Sequence, residues 1–260
     1  MHLAVCVKHV PDTDQVRMDP ERGTLVREGV PGILNPLDAH AVEAAVALRD
    51  LSGGKVTAVS MGPRAAEQSL REALARGCDD ALLLTDQTFA GSDTWATSYV
   101  LACAVRRLRD VELVVCGKQA VDGDTAQVGP GLAAHLGWPQ ATCVVALEPG
   151  GPQGLVVECL TDYGTETLRV PLPAVLTVVK DLNVPRLPSL VSALRARRAV
   201  VETWGAPVLG GDPAEFGLEG SPTRVVRVFT PPPRGQCMRW DDGPSAAHAI
   251  VRALRERGVV

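Results

Sequence analysis

From residue 2 onward, short and almost uninterrupted apolar runs alternate with longer segments whose apolar positions return every three or four residues. Residues 2–7, 55–61, 80–85 and 111–116 are too short for helices and rich in β-branched side chains, so they read as buried strands. Between them, residues 35–50 carry Asn35 as an N-cap, Pro36 for the first helical position and Asp38 for the positive helix end. Ala41, Ala44, Ala45 and Leu48 then share one face of that helix. Residues 51–55, "LSGGK", read as the turn that ends it, not as a phosphate loop, because the flanking spacing is missing. A second helix runs to Gly77, and a third is capped by Asp93 and closes in a basic last turn. The fourth strand opens into "GKQAVDGDTAQVGPGLAAHLG", a loop of glycines and acids followed by a small-residue helix. That helix starts at Thr125, capped by Asp124 or Thr125, or nearer Pro130 if the proline is to be accommodated. Such alternation predicts an α/β fold with a doubly wound, mostly parallel sheet covered on both faces.

The period changes after Pro139. Runs at 141–148, 154–161 and 166–172 lie close together, the last two joined by "DYGT", and predict a β-hairpin inserted beside the main sheet. Residues 173–181 read as a last core strand. From Asn183 the chain turns irregular and rich in Gly and Pro, including Pro231 to Pro233, before the amphipathic helix at 244–260. Residues 1–182 therefore read as an α/β domain, and 183–260 as an extended C-terminal arm that needs a surface to lie on.

A formal net charge of −4 leaves no basic footprint for nucleic acid. The opening run is broken by Lys8 and Pro11 too early for a signal peptide or membrane insertion. Seven cysteines without a CxxC pair read as buried thiols in a reducing, cytoplasmic setting. The five scattered histidines suggest neither a catalytic triad nor a metal site. In a doubly wound sheet, ligands sit beyond the carboxyl ends of the strands. The loops there are Lys8 to Asp14 (with Pro11, Asp12 and Thr13), Met61 to Pro63, and Gly117 to Gly129, with Asn35 to Asp38 facing the same crevice. Gly117 and Gly123 are expected to permit turns closed to other residues, so that N–H groups converge on a phosphate. Asp122 and Asp124 suit loop bracing or ribose hydroxyls better than the phosphate itself. By pattern alone, a plain tight turn remains the alternative. Aromatic side chains make up only 3% of the chain, few for a protein that encloses a large flat ring by itself.

In order along the chain, "AVCVKHVPDT", "NPLDAHAVEAAVAL", "VSMGP", "GKQAVDGDTAQVGPGLAAHLGWPQAT" and "LPAVLTVVKDLNVPRLPSL" resemble the small (beta) subunit of electron-transfer flavoproteins. The resemblance covers nearly the whole chain. It implies an adenine-nucleotide-alpha-hydrolase-like α/β domain and a heterodimer with a larger alpha subunit carrying FAD, embraced by the C-terminal arm. It places adenine-nucleotide contacts at Cys6, at Asn35, Pro36, Leu37 and Asp38, and at Met61. Further contacts fall on Gly117, Lys118, Gln119, Ala120, Val121, Asp122, Gly123, Asp124, Thr125, Ala126, Gln127 and Val128. A partner-recognition loop falls around Leu190, flanked by Arg195 and Arg198, for an acyl-CoA dehydrogenase-type flavoenzyme. "DGDTAQVGP", and Thr13 where many ordinary members have Tyr, resemble the electron-bifurcating type, while His9 replaces the usual Gln or Arg. The resemblance thus implies a second, bifurcating FAD reduced by NADH, with AMP as the alternative. A stand-alone adenine-nucleotide sensor on the same sheet is the more remote reading.

Overall fold

The computed structural model describes residues 1–12, 17–18, 25–26, 31–151, 154–226 and 239–260. Thr13, Asp14, Pro231 to Pro233 and Cys237 lie outside the described residues. The elements run β1 (His2–Cys6), β2 (His9–Pro11), β3 (Arg17–Met18), β4 (Leu25–Val26), β5 (Gly32–Leu34), α1 (Pro36–Ser52), β6 (Lys55–Met61), α2 (Glu67–Ala75) and β7 (Asp80–Leu84). They continue with α3 (Thr94–Leu108), β8 (Val111–Gly117), α4 (Val128–Leu136), β9 (Gln140–Pro149), β10 (Leu155–Thr161), β11 (Gly164–Val170) and β12 (Ala174–Val178). The chain closes with α5 (Leu190–Arg198), β13 (Glu202–Trp204), α6 (Ala206–Leu209) and α7 (Gly243–Glu256).

Nine strands form one sheet in the order β11-β10-β9-β12-β8-β1-β6-β7-β13. The expected doubly wound α/β architecture is what the chain adopts. Alternate residues of the central strands supply two separate cores, the period-2 signature of a sheet covered on both sides. Leu3 and Val5 of β1 pack with Ala41, Ala45 and Leu70 from α1 and α2. Ala4 and Cys6 of the same strand pack with Val100, Ala104 and Leu132 from α3 and α4. Each fully buried Leu or Val contributes roughly 1.5–3 kcal/mol, and these layers supply most of them.

Two differences from the expected layout have physical causes. The inserted β-hairpin is the outer part of a three-stranded antiparallel meander that continues the main sheet, because β9 pairs in parallel with β12. Further on, the stretch from Asn183 finds much of its surface on this chain. Ala196 of α5 is buried against the α2 side, β13 pairs in parallel with β7, and Trp204, Leu209 and Phe216 join the core on the α3 side. Asp93 accepts from Trp95 N and Ala96 N as the predicted cap, and its second oxygen holds Thr223 through N–H and hydroxyl bonds of 2.9 and 2.7 Å. Among the described helices α1 to α7, only α7 carries no buried side chain. Among the described residues, no helix is long and apolar enough to cross a membrane.

Candidate functional site

From β1 the chain moves through β6 and β7 toward one edge, then returns to place β8 and β12 on the other side of β1. The order therefore reverses between β1 and β8, and a crevice opens there beyond their carboxyl ends. Cys6 and Cys116 are register partners at this point. A hydrogen bond with Cys6, together with burial, holds the Cys116 thiol well above its ordinary pKa.

Two side chains at the start of α1 tie the crevice together. Asn35 occupies the N-cap position, but its side chain does not cap the helix. It is fully buried and spends its amide on the neighbouring loop instead, donating from Nδ2 to Gln119 O at 2.9 Å and accepting at Oδ1 from Val121 N at 3.1 Å. The Asn35 carbonyl meanwhile accepts from Asp38 N and Ala39 N, so the helix still starts cleanly. Asp38 accepts at Oδ2 from Lys8 N at 2.7 Å. A Cβ on Gly117 would sit 2.3 Å from Asp38 Oδ1. Burial pushes the Asp38 carboxyl up to about 7, opposed by hydrogen bonds from the Asn35 side chain and from the Lys8 and Gly117 backbone. Asn35 and Asp38 thus gather three of the predicted segments, after β1, after β8 and before α1, around one opening.

The loop itself differs from the expected geometry. Neither Gly117 nor Gly123 has a positive φ; the left-handed positions are Asp124 (φ 52°) and Ala126 (φ 55°). Gly117 is required by the close approach of Asp38, whereas a Cβ on Gly123 would meet only Lys8 Nζ, at 3.8 Å. The helix starts at Val128, not Thr125, with Gln127 at the N-cap position and no side chain capping it, so Asp124 and Thr125 are not caps. Pro130 fits because it falls in the first turn, where its missing N–H costs nothing. The acids brace the loop: Lys8 Nζ donates to Asp122 Oδ1 at 2.7 Å, and Gln119 Nε2 donates to Asp124 Oδ1. Val121, Asp122, Gly123, Asp124 and Thr125 are exposed, while α4 behind them is seated by glycines. A Cβ on Gly129 would lie 2.3 Å from Thr177 Cγ2, and one on Gly131 2.6 Å from Ser98 Oγ. Met61 closes β6 on the other side of β1. Lys8 is expected in the loop after β1 but not among the nucleotide contacts; its bracing role follows from a lone cation directly after an apolar strand.

Leu190 is set apart from this crevice, on α5. It is the first residue of a helix, not the middle of a loop, and Ser189 caps that helix by accepting from Ser192 N. The approach to it is pinned, since Arg186 pairs with Glu43 at 2.8 Å and Asp50 at 3.0 Å. Arg71 Nη1 donates to Ala196 O and Ala199 O at the far end. On this fixed frame Leu187, Leu190 and Val191 are 86%, 77% and 78% exposed, and Arg195 and Arg198 are exposed beside them.

Residues 22–209 match the model of the electron transfer flavoprotein domain. The chain is 47% identical over 257 residues to the electron transfer flavoprotein subunit beta of Clostridium acetobutylicum, covering 98% of both chains. The chain belongs to the electron transfer flavoprotein family, as a beta subunit. It is also 42% identical over 263 residues to subunit CarD of the caffeyl-CoA reductase-Etf complex of Acetobacterium woodii, covering 100% of both. With protein FixA of Azorhizobium caulinodans it shares 48% identity over 243 residues, 91% of this chain and 86% of that one. An electron transfer flavoprotein beta subunit implies a flavin and an alpha-subunit partner. The described residues fit the phosphates of a nucleotide in three respects: an uncapped helix start, exposed loop residues and an Asp122 paired with Lys8. They fit a flavin ring less completely, because no aromatic side chain occurs among Cys6, Asn35 to Asp38, Met61 and Gly117 to Val128.

Proposed function

We propose that this beta subunit holds an adenine nucleotide in the crevice between β1 and β8, FAD in preference to AMP, as one half of a heterodimer. The observation that carries the reading is the double clasp of Asn35 on Gln119 and Val121 and of Asp38 on Lys8. It fixes the Gly117 to Val128 loop through this chain's own side chains. The free N–H groups opening α4 suit a pyrophosphate. Lys8 cancels the charge of Asp122, which would otherwise repel it. Cys6 and Met61 line the floor. The larger alpha subunit carries a further FAD and supplies the wall that this crevice lacks for a flavin ring. Bound FAD supplies two-electron acceptance from a hydride donor such as NADH and one-electron delivery onward. The exposed Leu190, Arg195 and Arg198 face an acyl-CoA dehydrogenase-type flavoenzyme, a reading supported by the name of the caffeyl-CoA reductase complex to which CarD belongs. Buried free thiols support a reducing, cytoplasmic setting. Family membership gives no support to a stand-alone sensor. The missing aromatic side chains favour one second reading, structural AMP in the same crevice.

Flavin and AMP released by denaturing the purified heterodimer separate the two. About two flavins and no AMP per heterodimer are expected for FAD in this crevice; about one of each supports AMP. One flavin and no adenine nucleotide besides would overturn both.

A further inference from the structure

On the outer side of α3, away from the crevice, a cavity of about 600 Å³ opens between that helix and the segment from Trp204 to Gly211. Arg106, Arg107 and Arg109 line it together with Tyr99, Cys103 and Trp204. Three cations at one rim repel one another, and proteins ordinarily relieve this with carboxylates. Ion pairs seen among the described residues engage arginines such as Arg49, Arg71, Arg76 and Arg186 but none of these three. Of the nearby acids, Glu202 accepts from Trp204 Nε1 at 2.7 Å, and Asp212 Oδ1 accepts from Ala214 N at 3.0 Å. The backbone N–H of Asp212 donates to the Tyr99 hydroxyl oxygen at 2.9 Å. The bland account is that cations favour the carboxyl end of a helix. It explains their sign but not the cavity or the seating of the side chains. Arg107 lies over the Trp204 ring, 5.6 Å from its centroid, and Arg106 Nη2 donates to His135 O. Both guanidiniums are therefore held in place and lose less freedom on meeting a ligand. The Tyr99 hydroxyl is engaged, accepting from Asp212 N and bonding the Cys103 sulfur. Burial raises the Cys103 thiol pKa, opposed by Arg106 and Tyr99.

We propose that this cavity is a second binding site, for a small phosphate-bearing polyanion of the pyrophosphate class. Guanidinium forks match phosphate oxygens in pairs, and this open pocket sets three of them along one rim. The site shares no residue with the crevice and does not rest on the nucleotide reading. Its ligand has two sources, inorganic pyrophosphate and the diphosphate end of a nucleotide.

Inorganic pyrophosphate titrated calorimetrically into the nucleotide-loaded heterodimer is expected to show saturable binding at near-physiological salt. Arg107→Gln should weaken it about tenfold or more, while Arg224→Gln, an equal charge loss elsewhere, leaves it unchanged. Arg109→Gln, an exposed position, gives the same reading should Arg107→Gln disturb folding through Trp204. ADP that competes with pyrophosphate and binds more tightly identifies the nucleotide source; ADP that binds no better identifies the inorganic one. The proposal is overturned by no saturable binding up to about 1 mM, by equal weakening in Arg224→Gln, or by a hexaglutamate peptide binding as tightly as pyrophosphate.

Discussion

The loop from Gly117 to Gln127 and the stretch from Leu187 to Leu194 are both surface segments, and they use their side chains in opposite senses. In the first, polar groups turn inward: Asn35, Asp38, Lys8 and Gln119 hold backbone and acids in place and leave main chain at the surface. In the second, polar groups again fix the backbone, through Arg186 and Arg71, but the side chains left outside are leucines and valines. Exposed, ordered backbone suits a small polar ligand, whereas exposed apolar side chains on a rigid frame suit another protein. Similar scaffolding thus serves two kinds of recognition.

The comparison can be broken most forcefully at Gly117. Gly117→Val places Cβ against Asp38 Oδ1 and against Leu37 C, 2.8 Å away, so we expect a loss of about 3 kcal/mol or more and little folded heterodimer. A variant with parental denaturant midpoint would show that the clasp is not tight. Next comes Asp38. Its folded pKa of about 7 lies above the ordinary carboxyl value of about 4, so the folded state binds the proton more tightly than the unfolded one. Stability from this group is therefore fully present below about pH 4 and is lost as pH rises toward about 7, a swing on the order of 4 kcal/mol. Asp38→Asn should remove that part of the slope when unfolding is followed across this window; parallel slopes for parent and variant would refute the assignment.

Asn35→Ala removes two hydrogen bonds and orphans Gln119 O and Val121 N, costing about 1–3 kcal/mol. Bound nucleotide, measured after gel filtration, should fall more than the midpoint shifts; nucleotide retained at parental level would make Asn35 a fold residue only. The smallest effect on stability belongs to Leu190→Ala, within about 0.5 kcal/mol because the side chain is exposed. Electron exchange with the partner dehydrogenase should nevertheless slow at unchanged nucleotide content, which stopped-flow kinetics would reveal. Nucleotide loss in this variant would erase the distinction between the two surfaces.

Most of the sheet was legible because β1, β6, β7 and β8 are apolar runs and the helices between them carry one-sided stripes. β13 was not legible: Glu202, Thr203 and Trp204 carry no strand-like run and pair with β7 only through contacts about 120 residues distant. The site's segments were legible as loops after strands, but their inner wiring was not. Asn35 followed by Pro36 satisfies every local rule for a cap, and only the nearness of Gln119 and Val121 in space diverts its amide. The left-handed backbone fell on Asp124 and Ala126, although glycine stands beside them at 123, because the brace from Lys8 to Asp122 and the bond from Asp124 N to Ala120 O set the path. Local propensity has no access to such constraints.

The late arrival of β13 has a consequence for synthesis. On the ribosome, β1, β6 and β7 can assemble once about the first hundred residues have emerged, which leaves the outer rim of β7 with unpaired N–H and C=O groups. Its covering strand is translated about 120 residues later. At about 5–20 residues per second, the nascent chain carries that open rim for roughly 6–24 seconds. During this interval the half-built sheet is a template for strands of neighbouring nascent chains, and slowing translation between Leu84 and Trp204 would lengthen its exposure to them.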